Sequence, residues 1–211
     1  PENPKRRSSM ISRRDAYGHT PLILAVRAGK PETVTAVMTI RPSTILLKDE
    51  REESAYHWAA RGNNASIIRR LHEREKSYFD WLATTYPGKP RQRSLLFDQD
   101  IAGVTPLMRA VQSGQLAVVK AIVEVEPSAL FEVSNEDDGW TALNYAGRYD
   151  TPATQAIIEF FVQVDTKKEL ARPSDLGSAF FIALINGNTD AAISIARGWP
   201  LSVDYPCFLG T

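Results

Sequence analysis

Apolar residues in this chain come in short bursts at helical spacing, broken by polar turns that carry glycine. One ten-residue frame recurs five times. It reads Thr20-Pro-Leu-Ile-Leu-Ala-Val-Arg-Ala-Gly29, Ser54-Ala-Tyr-His-Trp-Ala-Ala-Arg-Gly-Asn63, Thr105-Pro-Leu-Met-Arg-Ala-Val-Gln-Ser-Gly114, Thr141-Ala-Leu-Asn-Tyr-Ala-Gly-Arg-Tyr-Asp150 and Ser178-Ala-Phe-Phe-Ile-Ala-Leu-Ile-Asn-Gly187. Every copy opens on Ser or Thr, whose hydroxyl caps a helix by accepting from an orphan backbone N–H. Pro21 and Pro106 suit the first helical position. The third place is large and apolar (Leu22, Tyr56, Leu107, Leu143, Phe180) and the sixth is alanine (Ala25, Ala59, Ala110, Ala146, Ala183). Both lie on one face, so a neighbouring helix can pack close. The tenth place is Gly, Asn or Asp, the residues that best tolerate positive φ, and it predicts a left-handed stop.

A second short helix is predicted after each stop. Its apolar sets are Val34/Val37, Ile67/Ile68/Leu71, Val118/Val119/Ile122, Ile157/Ile158/Phe161 and Ala192/Ile195. Before three openings an acidic residue precedes a glycine (Asp15 and Gly18, Asp100 and Gly103, Asp138 and Gly139), which is turn chemistry. Successive openings lie 34, 51, 36 and 37 residues apart. Leu176-Gly-Ser178 recurs as Leu209-Gly-Thr211, which places the start of a truncated sixth unit at Thr211. The long interval predicts an insertion over about residues 72–93 that lengthens the second helix of unit two. There Ile67, Leu71, Tyr78, Trp81 and Leu82 share a face, and Pro87-Gly-Lys-Pro90 ends the helix. Residues 1–14 set Lys5, Arg6, Arg7, Arg13 and Arg14 against Glu2 and read as a flexible basic lead-in.

The frame resembles the ankyrin repeat, whose signature is Asp-x-x-Gly-x-Thr-Pro-Leu-His-x-Ala-Ala-x-x-Gly. Asp15-Ala-Tyr-Gly-His-Thr-Pro-Leu and Asp100-Ile-Ala-Gly-Val-Thr-Pro-Leu carry it most fully, and the likeness runs over about residues 15–211. The resemblance implies an all-α solenoid: stacked helix–turn–helix units with hairpin-like loops, five divergent repeats and the start of a sixth. The signature histidine stands only at His57, with Ile23, Met108, Asn144 and Phe181 in its place elsewhere. In the family that imidazole ties neighbouring turns together, so its loss predicts a less regular stack.

Composition narrows the function. The 211 residues hold 25 Lys and Arg against 25 Asp and Glu, a formal net charge of zero. That argues against a broad nucleic-acid or anionic-membrane surface. One cysteine, Cys207, rules out an internal disulfide and a multi-cysteine zinc site. With only His19, His57 and His72 beside it, no metal and no cofactor is expected. No apolar run approaches the ~18 residues of a membrane helix, and the basic start lacks the apolar stretch of a signal peptide. The expectation is a monomer in the cytoplasm, with the nucleus as the alternative.

No nucleophile and base fall into a catalytic pattern, so no enzyme is expected within this sequence. The acidic runs Asp49–Glu53 and Glu136–Asp138 match no calcium loop and read as solvated tips. No phosphate-loop motif occurs. Arg6-Arg-Ser-Ser9 has the basic-then-serine form that marks Ser9, or Ser8, as a phosphorylation candidate; Arg91-Gln-Arg-Ser94 has the same form. The other reading of both is a solvated segment. His72 is expected on an exposed helix face and His19 at a tip.

The resemblance further implies a concave binding surface made by the tips and the exposed face of each first helix. The partner-binding candidates there are Tyr17, His19, Arg27, Arg51, Arg61, Gln112, Trp140, Arg148 and Tyr149. Stacking sets the eighth places, Arg27, Arg61, Gln112 and Arg148, side by side as a basic row. Exposed Tyr, Trp and Arg are common interface anchors. The arginines have two readings: they meet acidic residues of a partner segment, or they pair with glutamates of adjacent repeats. The expected function is a non-catalytic module that binds another protein. The alternative is a substrate-recruiting or regulatory region of a larger kinase, effector or channel whose active part lies outside this sequence.

Overall fold

The computed structural model describes residues 13–88, 90, 92–135, 139–164 and 173–199. Among them ten α-helices form five successive pairs: α1 (Pro21–Arg27) with α2 (Pro31–Ile40), α3 (Ala55–Arg61) with α4 (Ala65–Thr85), α5 (Pro106–Gln112) with α6 (Leu116–Val125), α7 (Ala142–Arg148) with α8 (Pro152–Val164), and α9 (Pro173–Ile185) with α10 (Thr189–Gly198). Each first helix packs on the first helix of the next pair, and each second helix on the next second helix. The result is a two-layer solenoid in which sequence neighbours are spatial neighbours. The β pairing among the described residues is one isolated bridge, Val133 to Thr141.

The frame explains the packing. Leu22, Tyr56, Leu107 and Leu143 are buried, and so are all five alanines of the sixth place. From the second layer Val34, Ile67, Ile68, Leu71, Val118, Val119, Ile122, Ile157, Ile158, Phe161 and Ile195 complete one continuous core. Thr20, Thr105 and Thr141 cap their helices, accepting from the N–H of Ile23, Met108 and Asn144 at 3.3–3.4 Å. Four helices end on a left-handed residue: Gly29, Asn63, Gly114 and Gly187, at φ of 63°, 53°, 65° and 74°.

Two copies depart from the frame. Ser178 does not open a helix: α9 begins at Pro173, whose fixed φ suits a first turn, and Ser178 sits exposed within it. Asp150 is not a left-handed stop. The chain leaves α7 through an extended Tyr149 (φ −108°, ψ 125°). The turn is closed instead by Thr151, whose hydroxyl accepts from Thr154 N at 3.1 Å, while Thr154 Oγ1 donates to Tyr149 O at 2.6 Å. Ser8, Ser9, Cys207 and Thr211 lie outside the described residues.

The hairpin tips share one device. Asp15, Asp49 and Asp100 each use Oδ1 to accept from the backbone N–H two and four residues on, at 2.9–3.1 Å. Successive tips are then joined by backbone bonds, Ile101 N to Arg51 O at 3.0 Å and Asn135 N to Gly103 O at 3.3 Å.

His57 fastens the middle of the stack. Its Nδ1 accepts from Ser54 N at 3.1 Å, and its Nε2 donates to Val104 O of the following repeat at 2.9 Å. Burial depresses its pKa from 6.5 to about 4. The other units lack this link, but two keep its local half: Asn144 Oδ1 accepts from Thr141 N at 2.8 Å, and Met108 Sδ lies 3.5 Å from Thr105 N. The stack therefore stays in register with one imidazole. The depressed pKa makes stability pH-dependent. Between about pH 6.5 and 4 the unfolded chain binds the proton and the folded chain does not. Stability is therefore complete above pH 6.5 and falls as pH drops through that window. From pH 7.5 to 5 the His57 contribution should fall by about 2 kcal/mol. The measurement is the difference in urea-unfolding free energy between wild type and His57→Asn at the two pH values, which removes the carboxylate contributions common to both.

The insertion lengthens α4 to 21 residues, ending just before Pro87. Its first half faces the core through Ile67 and Leu71. Trp81, placed by periodicity on the same face, is 54% exposed, because the last turns of α4 project past the neighbouring helices. Glu75 is buried and ties the returning chain down. It accepts from Tyr56 Oη at 2.5 Å, Leu95 N at 2.6 Å and Ser94 Oγ at 3.2 Å. Burial raises its pKa against these hydrogen bonds, and the same burial, with the Glu75 charge beside it, pushes the Tyr56 phenol well up. His72 is half-buried beside Glu75 rather than exposed, with Nδ1 3.9 Å from its Oε2.

Candidate functional site

The sequence-predicted contact residues fall on the tips and first helices of repeats one to four. Tips one and two enclose a cavity of about 330 Å³ lined by Tyr17, His19, Asp49, Glu50, Arg51, Glu53, Trp58 and Arg61. Four of the nine candidates meet there. Tyr17 is 73% exposed and projects from the first tip.

Trp58 is the centre of this cavity. It stands at the fifth place of repeat two, one turn before Arg61. Its indole N–H donates to Asp49 Oδ2 at 2.8 Å, which fixes the plane of the ring. The Arg27 and Arg61 guanidiniums lie 4.9 and 5.4 Å from the ring centre, a cation–π arrangement. His19 meets the ring edge-on at 5.1 Å.

His19 is not an exposed contact. It is buried, its Nδ1 hydrogen-bonded to Asp15 Oδ2 at 2.9 Å. Burial pulls the Asp15 carboxyl up, but the hydrogen bonds from His19 and from the backbone of His19 and Tyr17 outweigh it, leaving its pKa below the ordinary value. His19 thus braces the Trp58 edge from beneath.

The basic row is held by its own neighbours. Arg61 forms a two-pronged ion pair with buried Glu53, one arm at 3.1 Å. Burial raises the Glu53 pKa, opposed by Arg61. Arg109 of repeat three donates to Asp100 and approaches the same Glu53 with Nε at 3.9 Å. Burial pushes Asp100 up, but the Arg109 hydrogen bond and the Val104 N–H prevail and its pKa is lowered. Gln112 is half-buried and accepts from Arg109 at 2.8 Å. Arg61 and Arg109 therefore each pair with an acidic residue of their own repeat, and Arg109 also approaches Glu53 of the repeat before.

Repeat four carries a second aromatic group, separate from the first cavity. Trp140 is half-buried rather than a free tip, its ring centre 5.4 Å from that of buried Tyr145 in an edge-to-face contact and the Arg148 guanidinium 5.5 Å from its ring centre. Tyr149 is half-buried at the end of α7, and its carbonyl accepts from Asn188 Nδ2 of repeat five at 2.8 Å. Arg148 and Arg27 remain solvent-exposed.

The fifth place was missed in the sequence, although it holds Trp58, Arg109 and Tyr145. The signal was present: places five and eight are three residues apart, so they meet on one helix face. Among the described residues no group of three or more His, Cys, Asp or Glu could hold a metal ion. No described helix is long and apolar enough to cross a membrane.

A family model for ankyrin repeats in three copies matches residues 22–131, half of the chain. The chain belongs to the ankyrin-repeat family. Solved structures agree over a longer stretch. An ankyrin repeat domain from Acinetobacter baumannii is 20% identical, covering 92% of this chain and 90% of its own, with a TM-score of 0.65. The ankyrin repeat domain of Bcl-3, a member of the IkappaB protein family, is 18% identical over 92% and 76%, with a TM-score of 0.68. A chain of the Bdellovibrio bacteriovorus predatory endopeptidase Bd0816 complex with immunity protein Bd3460 is 21% identical over 89% and 84%, with a TM-score of 0.61. No curated protein sequence matches the chain. Ankyrin repeats are a general protein–protein interaction fold, and the long α4 is this chain's departure from a regular array.

Proposed function

We propose that the concave edge of these ankyrin repeats binds an extended or helical segment of another protein in the cytoplasm, without catalysis. The observation that carries this reading is the cavity between tips one and two, where Tyr17, Arg51 and Arg61 surround the ring of Trp58. Tyr17 supplies exposed aromatic area, Arg51 an exposed cation, and Trp58 a fixed apolar floor. Acidic residues of the segment meet Arg51, Arg27 and, further along, Arg148. Arg61 is already neutralised by Glu53, so it shapes the floor more than it attracts charge. The chain acts as a monomer on this reading.

Tyr17→Ala should weaken the natural partner by about 1–3 kcal/mol, the range of an interface anchor. Arg27→Glu with Arg148→Glu should weaken it further and reduce its salt dependence. None of these side chains is buried, so the fold is retained. The test is affinity capture from the native cell with wild type, followed by titration of the captured partner against each variant. Equal affinity across wild type and all variants would place the binding surface elsewhere.

A further inference from the structure

The end of α4 builds a second groove that the concave edge does not use. Met38 and Thr39 at the end of α2, Pro42 and Ser43 in the following 3-10 turn (Pro42–Leu46), and Arg74, Ser77, Tyr78 and Trp81 of α4 enclose about 490 Å³. The walls are mainly apolar. Tyr78 and Trp81 stack with their planes 16° apart and centroids 5.9 Å apart. Tyr86 meets Trp81 edge-on at 6.4 Å. Three rings thus form a ledge along the projecting helix end. Trp81 is 54% exposed.

Tyr78 is half-buried and packs its inner side against the core, whereas the Trp81 ring stands outside it. Full burial in α4 ends with Leu71 and Glu75, and an exposed aromatic surface beyond them costs solubility unless something covers it. The polar part of the groove is equally specific. Arg70 donates to Thr35 and Arg69 pairs with Glu124, whereas Arg74 makes no hydrogen bond or ion pair among the described residues and lines the groove. The groove therefore combines flat aromatic faces with one uncommitted cation.

We infer that this groove docks a proline-rich segment of another protein that carries a carboxylate. Prolyl rings pack flat against exposed Tyr and Trp faces, and an extended polyproline helix is already ordered, so it loses little entropy on docking. The carboxylate pairs with Arg74. The site lies on the outer layer, so it is available while the concave edge is occupied.

The test uses the whole chain and a displayed library of random decapeptides, selected on wild type and counter-selected on Trp81→Ala. The expected peptides hold two prolines two or three residues apart and one Asp or Glu. They bind Trp81→Ala at least about tenfold more weakly, and are unaffected by Tyr17→Ala. On Arg74→Glu the preference moves from Asp or Glu to Lys or Arg. The inference is overturned if no peptide depends on Trp81, if the dependent peptides lack proline, or if Arg74→Glu leaves the charge preference unchanged. Sedimentation covers the remaining occupant: a Trp81-dependent dimer of wild type would assign the ledge to a second copy and also overturn it. Circular dichroism of each variant confirms that lost binding is not lost fold.

Discussion

Leu107→Ala should lower the unfolding free energy by about 2–5 kcal/mol, the range found when a buried leucine leaves a cavity. Leu107 is fully buried in α5, the first helix of the third repeat. It sits where α3 on one side and α7 on the other both press against the same helix. Each unit of a solenoid is held by its neighbours, so a cavity here weakens two interfaces at once. The lost methyl groups cannot be replaced by collapse, because the alanines of the sixth place already bring the helices close. Urea unfolding followed by circular dichroism measures the effect. The expected trace broadens, with the terminal repeats melting before the core of the array. A midpoint shift worth under about 0.5 kcal/mol would mean that the third place does not face the neighbouring helix.

Gly103→Val is expected to be as damaging for a different reason. Gly103 has φ of +69°, where a β-branched side chain is strained. A Cβ built there would lie 2.7 Å from the backbone nitrogen of Asn135. That nitrogen belongs to the next tip and donates to Gly103 O. The new side chain must therefore push two tips apart and break their bond. A cost of about 2–4 kcal/mol is expected from strain and separation together. Gly103→Ala should fall between wild type and valine. Hydrogen exchange at Asn135 reads the local part: its amide should lose protection in both variants, in step with the size of the side chain. Unchanged protection would show that the tips are not joined there.

The repeats were legible because they are local. A capping hydroxyl, a small residue one turn on and a left-handed stop all act within ten residues, so they leave a fixed spacing in the sequence. The departures came from interactions that spacing does not encode. Ser178 fits the frame, yet a proline five residues earlier starts the helix sooner. Asp150 fits the menu for a stop, yet the Thr151 and Thr154 hydroxyls close the turn by side chain. His19 falls at a tip, but Asp15 and the Trp58 ring draw it under the surface. Glu75 left a faint trace as a charge between Leu71 and Tyr78 on an otherwise apolar face. What it holds, Ser94 and Leu95, is 19 and 20 residues away and could be known only from the fold.

The candidate site was half legible. The eighth place pointed to one edge of the molecule, since stacking alone brings those positions into line. The pairing of Arg61 with Glu53, and the role of Trp58 as a floor, depend on where two side chains turn within one repeat. The periodicity also set Trp81 on the same face as Ile67 and Leu71, but a hydrophobic stripe does not reveal where the neighbouring helices stop.

Backbone bonds join the second tip to the third and the third to the fourth, whereas among the described residues none joins the first tip to the second. The mouth of the cavity therefore has one rigid lip and one held by side chains alone. The first hairpin is held over the cavity by the contacts of His19 and Arg27 to Trp58 and by no main-chain bridge among the described residues. On the proposed reading, one side of the partner segment would rest on side-chain contacts alone and the other on hairpins tied by main-chain bonds.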